Sequence, residues 1–568
     1  MNKETIHKVQ RLTTGLLLSC ILFILPLPTG AQPWAKKASQ AVFTLKTFAA
    51  DGTLLVSTNG FFIGDDGVAL SSFTPFKGAH RAVIIDAQGK EWPVDNLIGA
   101  NEMYDVAKFQ VTVKKPTSIP LATAQAEQGT TVWLLPYSAK KAAVCKSGSV
   151  SSAEQFQGSY AYYTLDMRPD DQQTGSPILN DNGEAIGILQ PAADAKATQS
   201  YAVSAPFAAN LRMTGLGMND PAMKATAIKK ALPDDFEQAQ LALFMATSSM
   251  DSVQYANYLE RFIQKFPNSP DGYVSRARSH AAAGRVSEAD GDMKQAMKVA
   301  DKKDDVHYQY ANLIFQYRLL HPDTPDDSWS LERALTESKE AYGLNPQPVY
   351  LQQQAQIHYA QKQYEEAYQL YQQLTQSTLR NAEIFYAAAQ CKLQLQDRDA
   401  ALAQLDSAVS MYNRPYLKAV APYLMARAQL YNETGKYRQA VSDYNDYEQL
   451  MRSQIGDGFY YLREQAEFAG HLYQQALDDI KRAIELAPQE PVYYAEKASV
   501  EVRVGLTDDA ISTARECIRL APDLCDGHLL LGLALCVKGQ KAEGLQSLTK
   551  AKELGNDQAQ TLIDKYAK

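Results

Sequence analysis

Histidine and cysteine are the side chains best suited to general-base, nucleophilic or metal chemistry, and few of them stand in a useful pattern here. Between residue 32 and residue 279 there is a single histidine, His80. The later histidines are scattered, and none lies four residues from another, the spacing that puts two metal ligands on one helix face. They are His280, His307, His321, His358, His471 and His528. The sequence therefore predicts no metal site.

The cysteines and the glycines also lack the patterns of cofactor or zinc sites. Five cysteines follow residue 31, without metal-ligand spacing: Cys145, Cys391, Cys517, Cys525 and Cys536. A small odd number argues against a disulfide framework, and small core residues are the expected role. There is no phosphate-binding loop of the Gly-x-x-x-x-Gly-Lys-Ser/Thr type and no Gly-x-Gly-x-x-Gly after a strand. We expect no cofactor.

The first 31 residues read as a secretory signal rather than as part of the fold. Lys3, Lys8 and Arg11 precede an apolar run over 16–27, which is too short to span a bilayer, and small residues follow up to Ala31. Cleavage after Ala31 is predicted, with the mature protein in the periplasm, the cell envelope or the medium. The alternative is a lipoprotein modified at Cys20, which is disfavoured because the apolar run continues past that cysteine. No later stretch is long and apolar enough for a membrane helix.

The full chain must contain more than one domain, since 568 residues exceed a single core. Its formal net charge of −8 argues against a nucleic-acid partner. Residues 32–215 alternate short β-rich runs with Gly, Asp and Asn turns, which predicts an antiparallel barrel or sandwich. Residues 216–235 contain Gly217, Pro221 and Pro233 and are interpreted as a linker. Helical periodicity dominates residues 236–568.

The helical part repeats with a period of about 34 residues. Ala476 and Ala510 are 34 residues apart, as are Gly505 and Gly539, and small residues recur at fixed offsets. This pattern resembles the tetratricopeptide (TPR) family, whose unit is a helix-turn-helix hairpin. We expect an all-α solenoid of about eight repeats. The resemblance implies a concave groove that binds peptides or partner proteins.

Three stretches of the β-rich part resemble the trypsin-like serine proteases, especially the bacterial envelope type. They are residues 60–79, residues 101–111, which contain the Asp-Val-Ala run, and residues 174–188, which begin Thr-Gly-Ser-Pro. Their order and spacing fit, so the resemblance implies the all-β double barrel of that family. It also favours a bacterial envelope location.

The resemblance assigns the triad positions to Thr74, Asp105 and Thr174. In this chemistry a serine attacks, a histidine takes its proton and an aspartate orients the histidine. Threonine at position 74 cannot serve as the base, because its hydroxyl neither accepts a proton readily nor becomes a cation. His80 falls six positions later, beyond the short helix of the family's fold, and is interpreted as a surface residue. Ser176 is interpreted as a loop-packing residue.

These readings lead to three hypotheses of function. The first is an exported protein in which an inactive trypsin-like domain and a TPR array both bind peptides or partner proteins. The second is a working serine-type endopeptidase that uses Thr174 or Ser176 as nucleophile and selects substrates through the repeats. The third makes the β domain a spacer and leaves all function to the repeats.

Overall fold

The computed structural model describes residues 32–139, 144–168, 170–192, 197–323 and 327–567. The predicted signal peptide, its cleavage after Ala31 and the alternative lipid site at Cys20 lie outside these residues. The described residues form two compact units, which divide between Arg276 and Ala277. The first unit holds all the strands, and the second is helical.

Twelve strands form two closed six-stranded barrels, which confirms the predicted all-β double barrel. The first barrel has the order β1-β2-β3-β6-β5-β4, and the second has the order β10-β11-β12-β9-β8-β7. The strands are β1 Val42–Phe48, β2 Leu54–Phe62, β3 Val68–Ser71, β4 Arg81–Ile85, β5 Glu91–Asn101, β6 Val106–Val111, β7 Thr131–Leu134, β8 Lys146–Phe156, β9 Tyr160–Leu165, β10 Pro177–Leu179, β11 Ala185–Leu189 and β12 Ser200–Ser204. All pairings between neighbouring strands are antiparallel.

Each barrel has its own apolar filling, and a third cluster joins the two barrels. Phe43, Phe73 and Phe109 are fully buried in the first barrel, where burial of large apolar side chains is the main stabilising contribution. The joining cluster includes Phe61 from β2 and Ile188 from β11. The two barrels therefore pack against each other through buried apolar side chains.

The segment predicted as a linker, residues 216–235, is in part docked on the first barrel. Met223 and Ile228 are buried in that barrel's apolar cluster. The N–H of Leu97 in β5 donates to Lys229 O at 2.8 Å, and the N–H of Ala231 donates to Leu97 O at 2.7 Å. Its prolines and glycine indicated a linker, but its apolar residues pack against the first barrel.

About twenty helices account for most of the remaining chain. They are α1 Ala35–Ala38, α2 Ala205–Ala209, α3 Pro221–Lys224, α4 Phe236–Ser249, α5 Ser252–Lys265, α6 Pro270–Ala282, α7 Val286–Val299, α8 Lys303–Leu320, α9 Leu331–Leu344, α10 Pro348–Ala360, α11 Tyr364–Leu374, α12 Ala382–Gln394, α13 Arg398–Ser410, α14 Ala421–Glu433, α15 Tyr437–Met451, α16 Asp457–Ala469, α17 Tyr473–Leu486, α18 Pro491–Val504, α19 Thr507–Leu520, α20 Cys525–Val537, α21 Lys541–Glu553 and α22 Ala559–Tyr566. Within the described ranges, no helix has the length and apolar character needed to span a bilayer.

Successive helices of the second unit pack as hairpins, from α8 with α9 to α20 with α21. The recurring alanines are fully buried, with 0% exposure. They are Ala334, Ala367, Ala401, Ala440, Ala476 and Ala510. A small buried side chain allows two helices to pack closely, which explains the recurrence of alanine at a spacing of about 34 residues.

The turn between the two helices of a hairpin also has a recurring feature, which is one residue with positive φ. These residues are Lys362, Gln396, Gly435, His471, Gly505 and Gly539. Glycine occupies the left-handed conformation without strain, whereas other residues do so at a cost. The turn geometry is therefore common to the repeats even where the glycine is missing.

Candidate active site

The candidate site includes the short 3₁₀ turn Thr74–Phe76, which follows β3. Asp105, from the turn between β5 and β6, forms hydrogen bonds to the start of this 3₁₀ turn. Asp105 lies between β5 and β6 in the left-handed region, with φ 48°, a conformation that Asp tolerates better than most residues. Its carbonyl oxygen accepts the N–H of Phe73 at 3.2 Å. Its carboxylate Oδ1 accepts the N–H of Thr74 at 2.6 Å. Asp105 thus fixes the chain at Thr74, the position to which the sequence resemblance assigns the histidine base.

The second carboxylate oxygen of Asp105 has no partner among the described residues. Oδ2 is buried and accepts no hydrogen bond. Burial raises the pKa of Asp105, while the hydrogen bonds from Thr74 and Phe73 and the charge of Lys77 oppose that rise. In a working triad a carboxylate in this place orients the base. Here the side chain at position 74 is a threonine hydroxyl, which cannot act as that base.

The loop at the nucleophile position is held to the first barrel through its backbone. Thr174 O accepts the Thr58 hydroxyl at 2.8 Å and the Asn59 N–H at 3.0 Å. Gly175 follows with φ +81°, and a Cβ there would lie 2.2 Å from Asn59 O and 3.0 Å from Ser71 Oγ. Glycine is therefore required by both conformation and space. These contacts bring the Thr174 loop beside the end of β3, three residues before Thr74.

The backbone donors that would stabilise an oxyanion are already used within the loop. In serine proteases of this type they are the N–H groups of the nucleophile and of the residue two before it. Here the N–H of Gln172 donates to Asp170 Oδ1 at 3.1 Å. The N–H of Thr174 donates to Asp171 O at 3.3 Å, within the 3₁₀ turn Asp171–Gln173. A substrate carbonyl would have to displace these internal acceptors.

The two remaining candidate residues do not complete a catalytic group. The Oγ of Ser176 is buried and unpaired within the described chain, and the residue has 0% exposure. His80 is exposed beside β4, and its N–H donates to Phe48 O at 2.8 Å at the end of β1. Thr74 and Asp105 are therefore in direct contact, whereas Ser176 is shielded from any substrate.

Two residues important for the loop went unnoticed in the sequence. Asp170 caps the 3₁₀ turn by accepting the N–H of Gln172, and Asp171 Oδ1 accepts the N–H of Ala192 at 3.3 Å. An Asp-Asp pair directly before the loop is a capping signal. It could have indicated that a short helical turn, rather than an open loop of donors, precedes Thr174.

Comparison with known proteins assigns the two parts separately. The family profile described as trypsin-like peptidase domain matches residues 58–188. The small glutamine-rich tetratricopeptide repeat-containing protein 2 of Mycosarcoma maydis is 30% identical over 82 residues, which is 14% of this chain and 23% of that protein. The protein of the same name from Saccharomyces cerevisiae is 28% identical over 87 residues, or 15% of this chain and 25% of that protein. The chain thus spans about a quarter of the length of these relatives.

Solved structures of proteases are also similar to part of the chain. A protease from M. tuberculosis in its active form has 18% identity and a TM-score of 0.29, and the match covers 37% of this chain and 89% of that one. The serine endoprotease from Yersinia pestis has 16% identity and a TM-score of 0.29, with 35% of this chain and 68% of that one covered.

The family profile falls within the residues of the double barrel, and the similarity to curated tetratricopeptide proteins supports tetratricopeptide-like repeats. The chain therefore carries a trypsin-like peptidase domain followed by a helical region of tetratricopeptide-like repeats.

Proposed function

We propose that this is an exported binding protein in which a catalytically inactive trypsin-like domain is joined to a tetratricopeptide array. The main support for the proposal is the loop before Thr174, whose backbone N–H groups already donate to acceptors within the same loop. Its oxyanion donors bond to Asp170 and Asp171, and the base position is Thr74. Without a base and a free donor pair, two of the main sources of rate enhancement in this chemistry are missing.

The alternative of a working endopeptidase needs an accessible nucleophile beside a base. The buried hydroxyl of Ser176 speaks against that residue. Thr174 has 9% exposure, and the side chain at the base position is another threonine. We therefore assign the cleft between the barrels to binding, with the proposed domains at 32–215 and 236–568.

The repeats support the binding half of the proposal. Stacked helical hairpins present an extended surface that holds peptides or helices of partner proteins. A relative named for its tetratricopeptide repeats is 30% identical to 82 residues of this chain. The proposed partners are peptides or proteins, at the array and at the barrel cleft.

One experiment tests binding and lack of cleavage together. The mature protein, residues 32–568, is incubated with a synthetic heptapeptide mixture, washed, and the retained peptides are identified by mass spectrometry. We expect a distinct subset to be retained with unchanged masses. Serum albumin immobilised in the same way is the control for adhesion. Retained or released fragments with new termini, or retention no greater than on albumin, would contradict the proposal.

A further inference from the structure

A cavity of about 730 Å³ lies in the first unit, away from the triad positions. One wall is the outer face of β5 and β6, with Asn96, Lys108 and Gln110. The opposite wall is the last turn of α5, with Arg261 and Lys265. The volume is within the range of about 300–1,000 Å³ that is usual for ligand pockets. The space suits a short peptide segment.

The segment 229–234 closes one side of this cavity and is held in place from both walls. Lys230 lies beside Leu97 of β5 as a parallel bridge. From α5, Arg261 Nη2 donates to Lys230 O at 2.7 Å, and Lys265 Nζ donates to Leu232 O at 3.1 Å. The walls are therefore preorganised, which lowers the entropic cost of binding.

Four cationic side chains line the cavity against two carboxylates, Asp66 and Asp234. The cations are Lys108, Lys229, Arg261 and Lys265. Lys229 and Lys265 have ion-pair partners in Asp95 and Asp234. This local surplus of positive charge stands out in a chain of net charge −8.

The other two cations have no carboxylate partner within the described residues. Lys108 Nζ donates to Ala209 O at 2.6 Å, and Arg261 donates to the carbonyl of Lys230. Burial lowers the pKa of both side chains, and the charges of Asp234 and Asp66 near Lys108 and of Asp95 near Arg261 oppose that fall only in part. A negatively charged group between the two cations would stabilise them further.

The acidic and amide groups of the lining restrict what that ligand can be. Asp66 and Asp234 would repel a compact polyanion such as phosphate, but they accept N–H donors. Asn96, Gln110 and Gln264 line the cavity too and can both donate and accept. A peptide offers a carboxylate and, at about 3.3 Å per residue, a series of backbone donors and acceptors.

From these contacts we propose that the cavity between the β5–β6 face and α5 is a binding site for a short peptide segment bearing a carboxylate. The carboxylate, from an Asp or Glu side chain or from a C-terminus, lies between Lys108 and Arg261. The cavity is lined by the β5–β6 face, the segment 229–234 and α5, and none of the triad positions lines it.

The test uses the mature protein and heptapeptide mixtures of matched composition, with retained peptides quantified by mass spectrometry. One mixture contains Asp and Glu, a second has Asn and Gln in their place, and each is made with a free and an amidated C-terminus. The variant carries Lys108→Gln and Arg261→Gln. Lys36→Gln, an exposed lysine of α1, is the matched control. Lys108→Gln alone guards against damage to the fold, since Arg261 also holds the cavity wall through the carbonyl of Lys230.

We expect the wild type and the Lys36→Gln variant to retain the same set of carboxylate-bearing peptides to the same extent. The double variant should bind this set at least about tenfold more weakly, and Lys108→Gln alone should weaken binding in the same direction. Loss on amidation assigns the carboxylate to the C-terminus, and loss with the Asn/Gln mixture assigns it to a side chain. Equal retention by the double variant, no preference for a carboxylate, or displacement by millimolar inorganic phosphate would overturn the proposal.

Discussion

At the scale of single residues, Asp105, the residue that the resemblance assigns to the triad aspartate, contacts the turn at Thr74. It connects the turn at Thr74 to the β5–β6 turn through a carboxylate bond and a carbonyl bond. Its other carboxylate oxygen remains buried and unpaired in the described structure. We infer that its present role is structural, because a hydrogen-bonded acceptor for the Thr74 N–H is all that the local fold requires.

A structural role for Asp105 predicts different results for two substitutions. Asp105→Asn keeps an oxygen acceptor for Thr74 and removes a partly desolvated charge, so the free energy of unfolding should change by less than about 1 kcal/mol. Asp105→Ala removes the acceptor and should cost about 1–3 kcal/mol. Denaturant unfolding of the two variants measures this difference. Equal destabilisation by Asn and Ala would show that the charge itself is needed.

Glu464, in α16, is the buried acid with the clearest consequence for stability. It has 0% exposure, and both carboxylate oxygens lack partners among the described residues. Burial, together with repulsion from Glu496 and Asp479, raises its pKa to about 8. The neighbouring Arg463 does not compensate, because its guanidinium bonds to Asp479 at 2.6 and 2.8 Å.

The raised pKa of Glu464 predicts a definite sign of pH dependence. The folded protein keeps this carboxyl protonated up to about pH 8, whereas the unfolded chain ionises it near pH 4.3. Unfolding releases a proton in that window, so the contribution of Glu464 to stability falls as pH rises from about 4.3 to about 8. Glu464→Gln should stabilise the protein by about 1–3 kcal/mol at pH 8 and have little effect at pH 4.

Thermal unfolding of the two proteins at several pH values measures that effect. Glu485→Gln, at an exposed position of α17, is the matched control and should leave the pH profile unchanged. A gain for Glu464→Gln that is the same at pH 4 and pH 8 would contradict a buried, protonated Glu464.

At the scale of elements, the hairpin turns offer a test of the repeat geometry. Gly505 has φ +83°, and a Cβ there would meet nothing within 4 Å. Gly505→Ala should therefore cost about 1 kcal/mol through backbone strain alone. Gly291 lies inside α7 with equally open space and no positive φ, so Gly291→Ala should stabilise by about 1 kcal/mol. Melting temperatures that move in the same direction for both variants would contradict the assigned turn.

Much of the helical architecture was predictable because small residues recur where backbones approach. Ala476 and Ala510 were identified by spacing alone, and both are fully buried. The double barrel was predictable from three motifs in the right order. By contrast, the bonds of Gln172 and Thr174 to Asp170 and Asp171 depend on a local turn that no spacing reveals. The docking of Ile228 on the barrel arises from a tertiary contact within a segment whose composition indicated a linker.

At the scale of the whole molecule, the first helical pair depends on the barrel part of its own unit. The N–H of Gly215 donates to Gln238 Oε1 of α4 at 2.8 Å. Arg261 and Lys265 of α5 donate to carbonyls of residues 230 and 232. These contacts are lost if the chain is cut before residue 236.

Two fragments test how far the array is independent. Residues 236–568 and residues 270–568 should both be helical with cooperative unfolding, since repeats depend mainly on their neighbours. In the longer fragment, limited proteolysis should cut within α4 and α5, which stay protected in the mature protein. A soluble fragment without helical circular dichroism would contradict the independence of the array. Full protection of α4 and α5 in the longer fragment would contradict their dependence on the barrel.

The central claim is that the trypsin-like domain binds without hydrolysing, and its most direct test is reaction of the mature protein with a fluorophosphonate probe. Removal of triad members leaves only about 10³–10⁴-fold rate enhancement over water, and the extra methyl of a threonine nucleophile hinders attack further. We predict no labelling under conditions that saturate trypsin. Labelling at Thr174 or Ser176 that is abolished by alanine at the same position would contradict the account and establish an active protease.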